Sequence, residues 1–215
     1  MTDLVERRPD PAEPDLGPDG PFRRVLPWLL MVGGGIGLLA AFVLTVEKIE
    51  LIADPSYEPS CSINPVLSCG SVMATAQASA FGFPNSLIGI VGFAAVVTTG
   101  AVLLSGARLQ GWYWAGLQVG VVFGAGFVHW LIGQSVYLIG ALCPYCMAVW
   151  AVTMPIFWYV TLRNLDAVSD RLPAGARRGV RRLLSLHAIP LTVWFLAVLA
   201  IILQRFWDFW TSALP

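Results

Sequence analysis

Long apolar runs separated by short polar segments are the most informative feature of the chain. The apolar residues follow one another without the alternation of a strand or the one-sided periodicity of a soluble helix. About 20 apolar residues are needed to cross a bilayer as a helix. The pattern predicts an all-α integral membrane protein, with spans at about 25–46, 84–104 and 188–203 and two more within 111–162, where no side chain is charged.

The stretch 111–162 must contain a turn, because one helix of that length would far exceed the bilayer. The predicted break is at Gly140, Ala141 and Leu142, since glycine favours the end of a helix and Pro144 then falls where a new helix starts. A break at residues 133–135 is an alternative that would leave a short third span and an overlong fourth. The sequence therefore predicts five spans.

Composition agrees with this class and describes the remaining segments. Only 12% of the residues are charged, against about 25% in soluble domains, and the zero net charge gives no indication of nucleic-acid binding. Residues 1–22, rich in Pro, Asp and Glu, are predicted to be a disordered tail rather than a signal peptide. Residues 166–187 are predicted to be a basic linker, and residues 188–215 a fifth membrane helix with a short tail. The glycines at 33–37 lie within a span and are predicted to pack helices.

The basic residues predict the orientation in the membrane, because cytoplasmic segments carry an excess of Lys and Arg. With the N-terminus inside, eleven of the thirteen basic residues lie on the inner side, and only Lys48 and Arg205 lie outside. This predicts a multi-pass membrane protein with its N-terminus in the cytoplasm, and with its C-terminus and the outer loop 47–83 facing outward.

All four cysteines then fall on the outer side, where disulfides persist. Cys143 and Cys146 form a C-x-x-C motif at the start of the fourth span, where the helix dipole favours a thiolate. Cys143 is expected to be the more exposed nucleophile, and Cys146, one turn deeper, needs an electron acceptor that lives in lipid. Cys61 and Cys69 lie on a loop that suits thiol–disulfide exchange with an outside protein. The segment from Gly70 to Phe81 is too short to span and is expected to lie at the membrane surface, over the C-x-x-C helix.

Two other interpretations of the cysteines remain open. Four thiolates could hold a structural zinc ion, although the seven residues between Cys61 and Cys69 are a wide gap for such a site. The pairs could also be static disulfides. Either alternative would make the chain a membrane binding or assembly protein rather than an enzyme. A transporter fits poorly, because the spans contain almost no charged groups.

The ordered set of motifs resembles the vitamin K epoxide reductase family in its bacterial form. The resemblance rests on Cys61-x7-Cys69, on the run from Phe81 to Gly89 (FGFPNSLIG) and on C-P-Y-C in a later span. It covers roughly residues 25–165, so that 23–165 is the expected catalytic core. It implies a four-helix bundle around a quinone, with a fifth transmembrane helix and a short half-helix at the outer surface.

The resemblance also implies roles for the cysteines. Cys61 would meet the partner protein, Cys69 would attack Cys143, and Cys146 would lie against a quinone of the menaquinone or ubiquinone type. The expected partner is a separate DsbA-like thioredoxin-fold protein on the outer side, because many bacterial members carry a fused thioredoxin-like domain and this chain ends soon after its last span.

Five further residues are candidates for the quinone site. Asn85 matches the family asparagine that hydrogen-bonds a quinone carbonyl, although it could also be a helix cap after Pro84. Trp150 occupies a position where some members have a tyrosine. His129, an ionisable group within the third span, could donate a proton to the reduced quinone or bond a neighbouring helix as a neutral side chain. Thr75 and Met73 complete the set. Together these residues predict an oxidoreductase that transfers electrons from protein dithiols to a quinone.

Overall fold

The computed structural model describes residues 21–213, so nearly all of the predicted tail 1–22 lies outside the described residues. The described part is mostly helical and contains no strand. Its five helices long and apolar enough to cross a membrane are Val25–Ala53, Ser86–Leu104, Gly111–Ile139, Pro144–Arg171 and Ala188–Arg205. The prediction of an all-α, multi-pass membrane protein is therefore confirmed.

The first span consists of α1 (Pro21–Trp28), a π-helical turn (Leu29–Gly33) and α2 (Gly34–Ala53). It continues well past residue 46, where the apolar run ends. The charged residues that follow can stay helical because they find partners above the bundle. The Glu47 carboxylate accepts hydrogen bonds from Ser60, and the Lys48 ammonium donates to a backbone carbonyl of the outer loop.

Two short helices lie between the first and second spans, where a single surface half-helix was predicted. The first is α3 (Cys69–Met73), capped by Ser68, whose hydroxyl accepts from the backbone N–H of Ser71. The second is a 3-10 turn (Ala76–Ser79). Thr75 between them is extended, which interrupts the helix and turns the chain over the bundle.

The second span is α4 (Ser86–Leu104), and the third is α5 (Gly111–Gly133), continued by a π-helical turn (Gln134–Ile139). The chain breaks at Gly140, whose φ of +70° is a left-handed conformation that favours glycine. The fourth span, α6 (Pro144–Val168), begins at the proline. The break is therefore where Gly140 and Pro144 predicted it, and at residues 133–135 the helix changes its hydrogen bonding without ending.

The predicted basic linker is largely helical. After α6 and a 3-10 turn (Ser169–Arg171) comes α7 (Ala174–Ser185), an amphipathic helix that carries four arginines. The fifth span is α8 (Ala188–Arg205), followed by α9 (Trp207–Ala213).

Four spans form one bundle, and the fifth lies at its side. The first span packs against α4 and α6, α5 packs against α6, and α8 makes its contacts with α6 and α5. Glycines allow the closest approach: a Cβ at Gly37 would lie 2.4 Å from the Phe93 ring, and one at Gly100 would lie 2.5 Å from the backbone nitrogen of Met31. The predicted packing role of the glycines at 33–37 thus applies to Gly37 and also to Gly34, where a Cβ would lie 2.9 Å from side-chain atoms of Val96 and Val97, but not to Gly35. Gly100 is the matching glycine on α4.

Candidate functional site

A short backbone bridge joins the outer loop to the segment that precedes the C-x-x-C motif. The N–H of Ser68 donates to the carbonyl of Leu142 at 2.9 Å, and the N–H of Leu142 donates to the carbonyl of Val66 at 2.7 Å. Cys69 follows directly on one side of this bridge and Cys143 on the other. The bridge therefore brings together two cysteines that are far apart in the sequence.

The sulfur atoms of Cys61, Cys69 and Cys143 lie close together. Cys61 and Cys69 are joined by a disulfide, with their Cα atoms 5.5 Å apart, whereas Cys143 and Cys146 are free thiols. The Sγ atoms of Cys69 and Cys143 are 3.0 Å apart. Thiol–disulfide exchange requires a thiolate in contact with a disulfide sulfur, and this arrangement supplies that contact.

The burial of the two C-x-x-C cysteines is the reverse of the sequence expectation. Cys143 was expected to be the more exposed, yet its relative exposure is 0%, while Cys146 is only half-buried. The outer loop accounts for this difference. Its residues pack around the Cys143 side chain and exclude solvent from it; they are Cys61, Cys69, Val72 and Met73. The Cys143 sulfur is thus shielded from solvent and lies next to the Cys69 sulfur.

The Cys143 sulfur lies in an environment that favours a thiolate. The hydrogen bond with the Cys146 thiol lowers the pKa of Cys143, and the backbone N–H groups of Cys146 and Tyr145 lower it further, while burial and the Glu47 charge act in the opposite direction. The N–H of Cys146 is 3.4 Å from the Cys143 sulfur, which caps the start of α6. A lowered pKa raises the population of the nucleophilic form.

An apolar cavity lies beside the half-buried Cys146, between the first, second, third and fourth spans, and the outer loop covers it. Its volume is about 110 Å³, and part of its wall is open to the surroundings. Ala41, Leu44, Leu131 and Val149 supply part of its apolar wall. Its polar lining residues are Lys48, Thr75, Gln77, Asn85, Ser86, Gln134, Ser135 and Cys146.

Comparison with known families matches residues 28–161, more than half of the chain, to the vitamin K epoxide reductase family. The chain belongs to the vitamin K epoxide reductase family. A comparison with curated proteins found no match. Family membership makes the chain a membrane oxidoreductase, and it agrees with the four cysteines, of which three sulfurs lie within 4.8 Å of one another.

Four of the five candidate quinone residues of this family member line the cavity: Met73, Thr75, Asn85 and Trp150. Asn85 holds the covering segment in place, because its Nδ2 donates to the carbonyl of Gln77 at 2.7 Å and its Oδ1 accepts from the N–H of Ala80 at 3.0 Å. Trp150 is 3% exposed, and its indole Nε1 has no hydrogen-bond partner within the described residues. An unpaired donor at this depth is costly unless a ligand satisfies it.

His129 does not line the cavity. Its Nε2 accepts a hydrogen bond from the indole N–H of Trp194 on α8 at 2.8 Å. Because an indole nitrogen only donates, the proton of the neutral ring is on Nδ1, which is 2.8 Å from the carbonyl oxygen of Ala125. The contacts of His129 are those of a neutral histidine that joins the third and fifth spans of this family member.

Several lining residues were not singled out from the sequence. Gln134 and Ser135 were considered only as a possible break, and Gln77 only as part of a surface segment. Lys48 gave a usable signal, since it is the only lysine of the chain and one of two basic residues on the predicted outer side. Glu47 was also missed; it is 6% exposed and holds the segment before Cys61 through bonds from Ser60 and the Tyr57 hydroxyl.

The sulfur cluster also bears on the zinc alternative. Cys61, Cys69 and Cys143 could in principle hold a metal ion together. In this structure two of these sulfurs are joined in a disulfide, so they are not the thiolates that zinc requires. Cys146 is not part of this group of ligand atoms.

Proposed function

We propose that this family member oxidises the dithiol of a DsbA-like protein outside the cytoplasm and delivers the electrons to a membrane quinone of the menaquinone or ubiquinone type. The observation that carries the proposal is the 3.0 Å separation between the sulfurs of Cys69 and Cys143, with Cys146 on the cavity wall. A disulfide on the loop is thereby connected to an apolar site within the bundle. The net result would be disulfide formation in exported proteins.

The relay has two exchange steps. The reduced partner attacks Cys61 and leaves with its own disulfide, so that Cys61 and Cys69 become thiols. The Cys69 thiolate then attacks Cys143 of a Cys143–Cys146 disulfide and displaces Cys146, and Cys61 attacks Cys69 and displaces Cys143. Two electrons and two protons now reside on Cys143 and Cys146, which is the redox state of the described structure.

A quinone would accept these two electrons, and the Cys143–Cys146 disulfide would form again. The residues present fit such a group. The cavity wall is largely apolar, and the buried indole N–H of Trp150 has no acceptor among the described residues, so that a quinone oxygen could supply one. Asn85 retains a second Nδ2 hydrogen after its bond to Gln77 and can donate it. Trp150 thus offers a hydrogen bond in place of the tyrosine found in some members.

The distribution of basic residues supports the orientation of this relay. Eleven of the thirteen are predicted on the side opposite the cysteines, which favours an orientation with the loop disulfide outside. With the resemblance to the bacterial form of the family, this supports a location in a bacterial cytoplasmic membrane. There it can meet a partner in an oxidising compartment.

Anaerobic quinone reduction by the detergent-purified protein tests the proposal. With a reduced thioredoxin-fold dithiol as donor, we expect quinol and donor disulfide to form in equal amounts. A menaquinone and a ubiquinone analogue should both be offered. Absence of reduction with either, together with near-stoichiometric zinc in the protein, would contradict the proposal and favour a structural role for the cysteines.

The acidity of Cys143 gives a second test. In a variant with Cys61→Ala and Cys69→Ala, which cannot exchange, we expect the thiolate absorbance of Cys143 to titrate at a pH below that of an ordinary thiol. Adding Cys146→Ala removes the hydrogen bond that lowers the pKa most, so the titration should move to higher pH. Tyr145→Phe, which keeps the backbone N–H, is the control. An unchanged curve after Cys146→Ala would mean that the Cys146 thiol does not stabilise the thiolate.

A further inference from the structure

Among the described residues that line the cavity, Lys48 is the only charged one, and its position is unusual. It lies on α2, on the same wall as Ala41 and Leu44, and it is half-buried. Within residues 21–213 no carboxylate lies within ion-pair distance of its ammonium group. The neighbouring Glu47 is directed to Ser60 and Tyr57 instead. An ammonium group at the edge of an apolar cavity, with no carboxylate partner among the described residues, is available to bind a polar ligand atom and therefore points to a function.

The hydrogen bonds of Lys48 leave it free to bind a ligand. Its Nζ donates to the backbone carbonyl of Met73 at 2.5 Å, which fixes the amine at the edge of α3, where the loop covers the cavity. An ammonium group has three donors, so two remain. Thr75 and Asn85 also line the cavity and bond the backbone of the loop through Val72, Gln77 and Ala80, which leaves one N–H of Asn85 for a ligand. Among the described lining residues, Lys48 is the donor that also carries a positive charge.

We propose that Lys48 is a catalytic residue of quinone reduction, whose ammonium group donates a hydrogen bond to one quinone oxygen and then gives that oxygen its proton. The proposal rests on the proposed function of the relay. Formation of the Cys143–Cys146 disulfide releases two electrons and two protons, and the quinol takes up two of each. Lys48 gives up one proton and recovers one from those that the thiols release, so the balance is unchanged.

The electrostatic reason is the negative charge that the quinone oxygens gain as electrons arrive. A fixed cation within an apolar wall stabilises such a charge far better than water-exposed groups do. A lysine can also transfer the proton, whereas an arginine cannot, because its pKa is above about 12. General acid catalysis of this kind contributes roughly 10²–10⁴-fold.

The test compares Lys48→Met and Lys48→Arg with wild type, and uses Arg205→Met, which removes the other predicted outer cation away from the cavity, as control. We expect both Lys48 variants to lose about 100-fold in quinone reduction, and Arg205→Met to retain it. Oxidation of the partner dithiol in a single turnover without quinone should stay within about twofold of wild type in every variant.

A spectroscopic measurement separates binding from turnover. In the redox-inactive Cys146→Ala background, the carbonyl stretching frequency of a bound isotope-labelled quinone should be lowered by hydrogen bonding. Lys48→Met should move this frequency back toward that of the unbound quinone. Any of four results would overturn the role of Lys48. Lys48→Met could reduce quinone as fast as wild type, or Lys48→Arg could be fully active. The infrared band could be unchanged in Lys48→Met, or the quinone-free step could lose as much activity as quinone reduction does. Absence of quinone reduction by the wild type would instead overturn the proposed function.

Discussion

Replacement of Cys146 by alanine is expected to abolish catalytic turnover while leaving the first exchange step intact. Without Cys146 no Cys143–Cys146 disulfide can form, so electrons that reach the loop have no onward acceptor. The protein should oxidise one equivalent of partner dithiol, through its Cys61–Cys69 disulfide, and then stop. Rapid mixing of the oxidised variant with a reduced thioredoxin-fold protein, followed by titration of the remaining thiols, measures this stoichiometry.

The trapped product gives an independent readout of the same variant. Because the sulfurs of Cys69 and Cys143 are in contact, the variant can also form a Cys69–Cys143 disulfide, which peptide mapping under non-reducing conditions would detect. Replacement of the exposed Ser71 by alanine near the same loop is a suitable control and should leave turnover unchanged. Continued quinone reduction by the Cys146→Ala protein would contradict the relay.

Replacement of Gly100 by alanine is expected to cause the largest loss of stability from a single methyl group. A Cβ at this position would lie 2.5 Å from the nitrogen and 2.9 Å from the Cα of Met31, both backbone atoms of the first span. Backbone cannot rotate away as a side chain can, so α4 and the first span must separate. Overpacking of this kind costs about 1–3 kcal/mol, which a lowered thermal unfolding midpoint in detergent would reveal.

Gly92 provides the matched control on the same helix. A Cβ there has no heavy atom within 4 Å, and alanine is a better helix former than glycine by about 1 kcal/mol. The Gly92→Ala protein should be as stable as wild type or slightly more so. Equal midpoints for the two variants would show that α4 and the first span do not pack as closely at Gly100 as described.

The number of spans and the break between the third and fourth could be predicted because each depends on local sequence. The apolar runs indicate the number of spans, and Gly140 followed by Pro144 indicates the position of the break. The length of the first span could not be predicted from hydropathy, since the helix continues through the charged residues Glu47 and Lys48, whose side chains bond distant residues of the loop. Local composition carries no information about such partners.

The candidate site likewise contains features that could be predicted from the sequence and features that could not. The cysteine pairs and the lining residue Asn85 could be found from motifs, because their spacing and order are visible in the sequence. The burial of Cys143 could not, since it results from a loop that lies more than 70 positions earlier and is held by the bridge to Leu142. His129 shows the converse: its ionisable ring suggested the quinone site, but its neighbour across the bundle is Trp194.

The Cys61–Cys69 disulfide and the bridge between Leu67 and Leu142 differ in the length of chain that each requires, which has a consequence for biogenesis. A disulfide that closes a loop of only eight residues needs no other part of the chain, and short loops carry a small entropic cost of closure. Cys143 is synthesised after two further spans, so the Cys61–Cys69 bond can form before any competing thiol emerges from the translocation machinery. The order of synthesis thereby protects the native pairing, and the loop can dock onto Leu142 only after the second and third spans have been made.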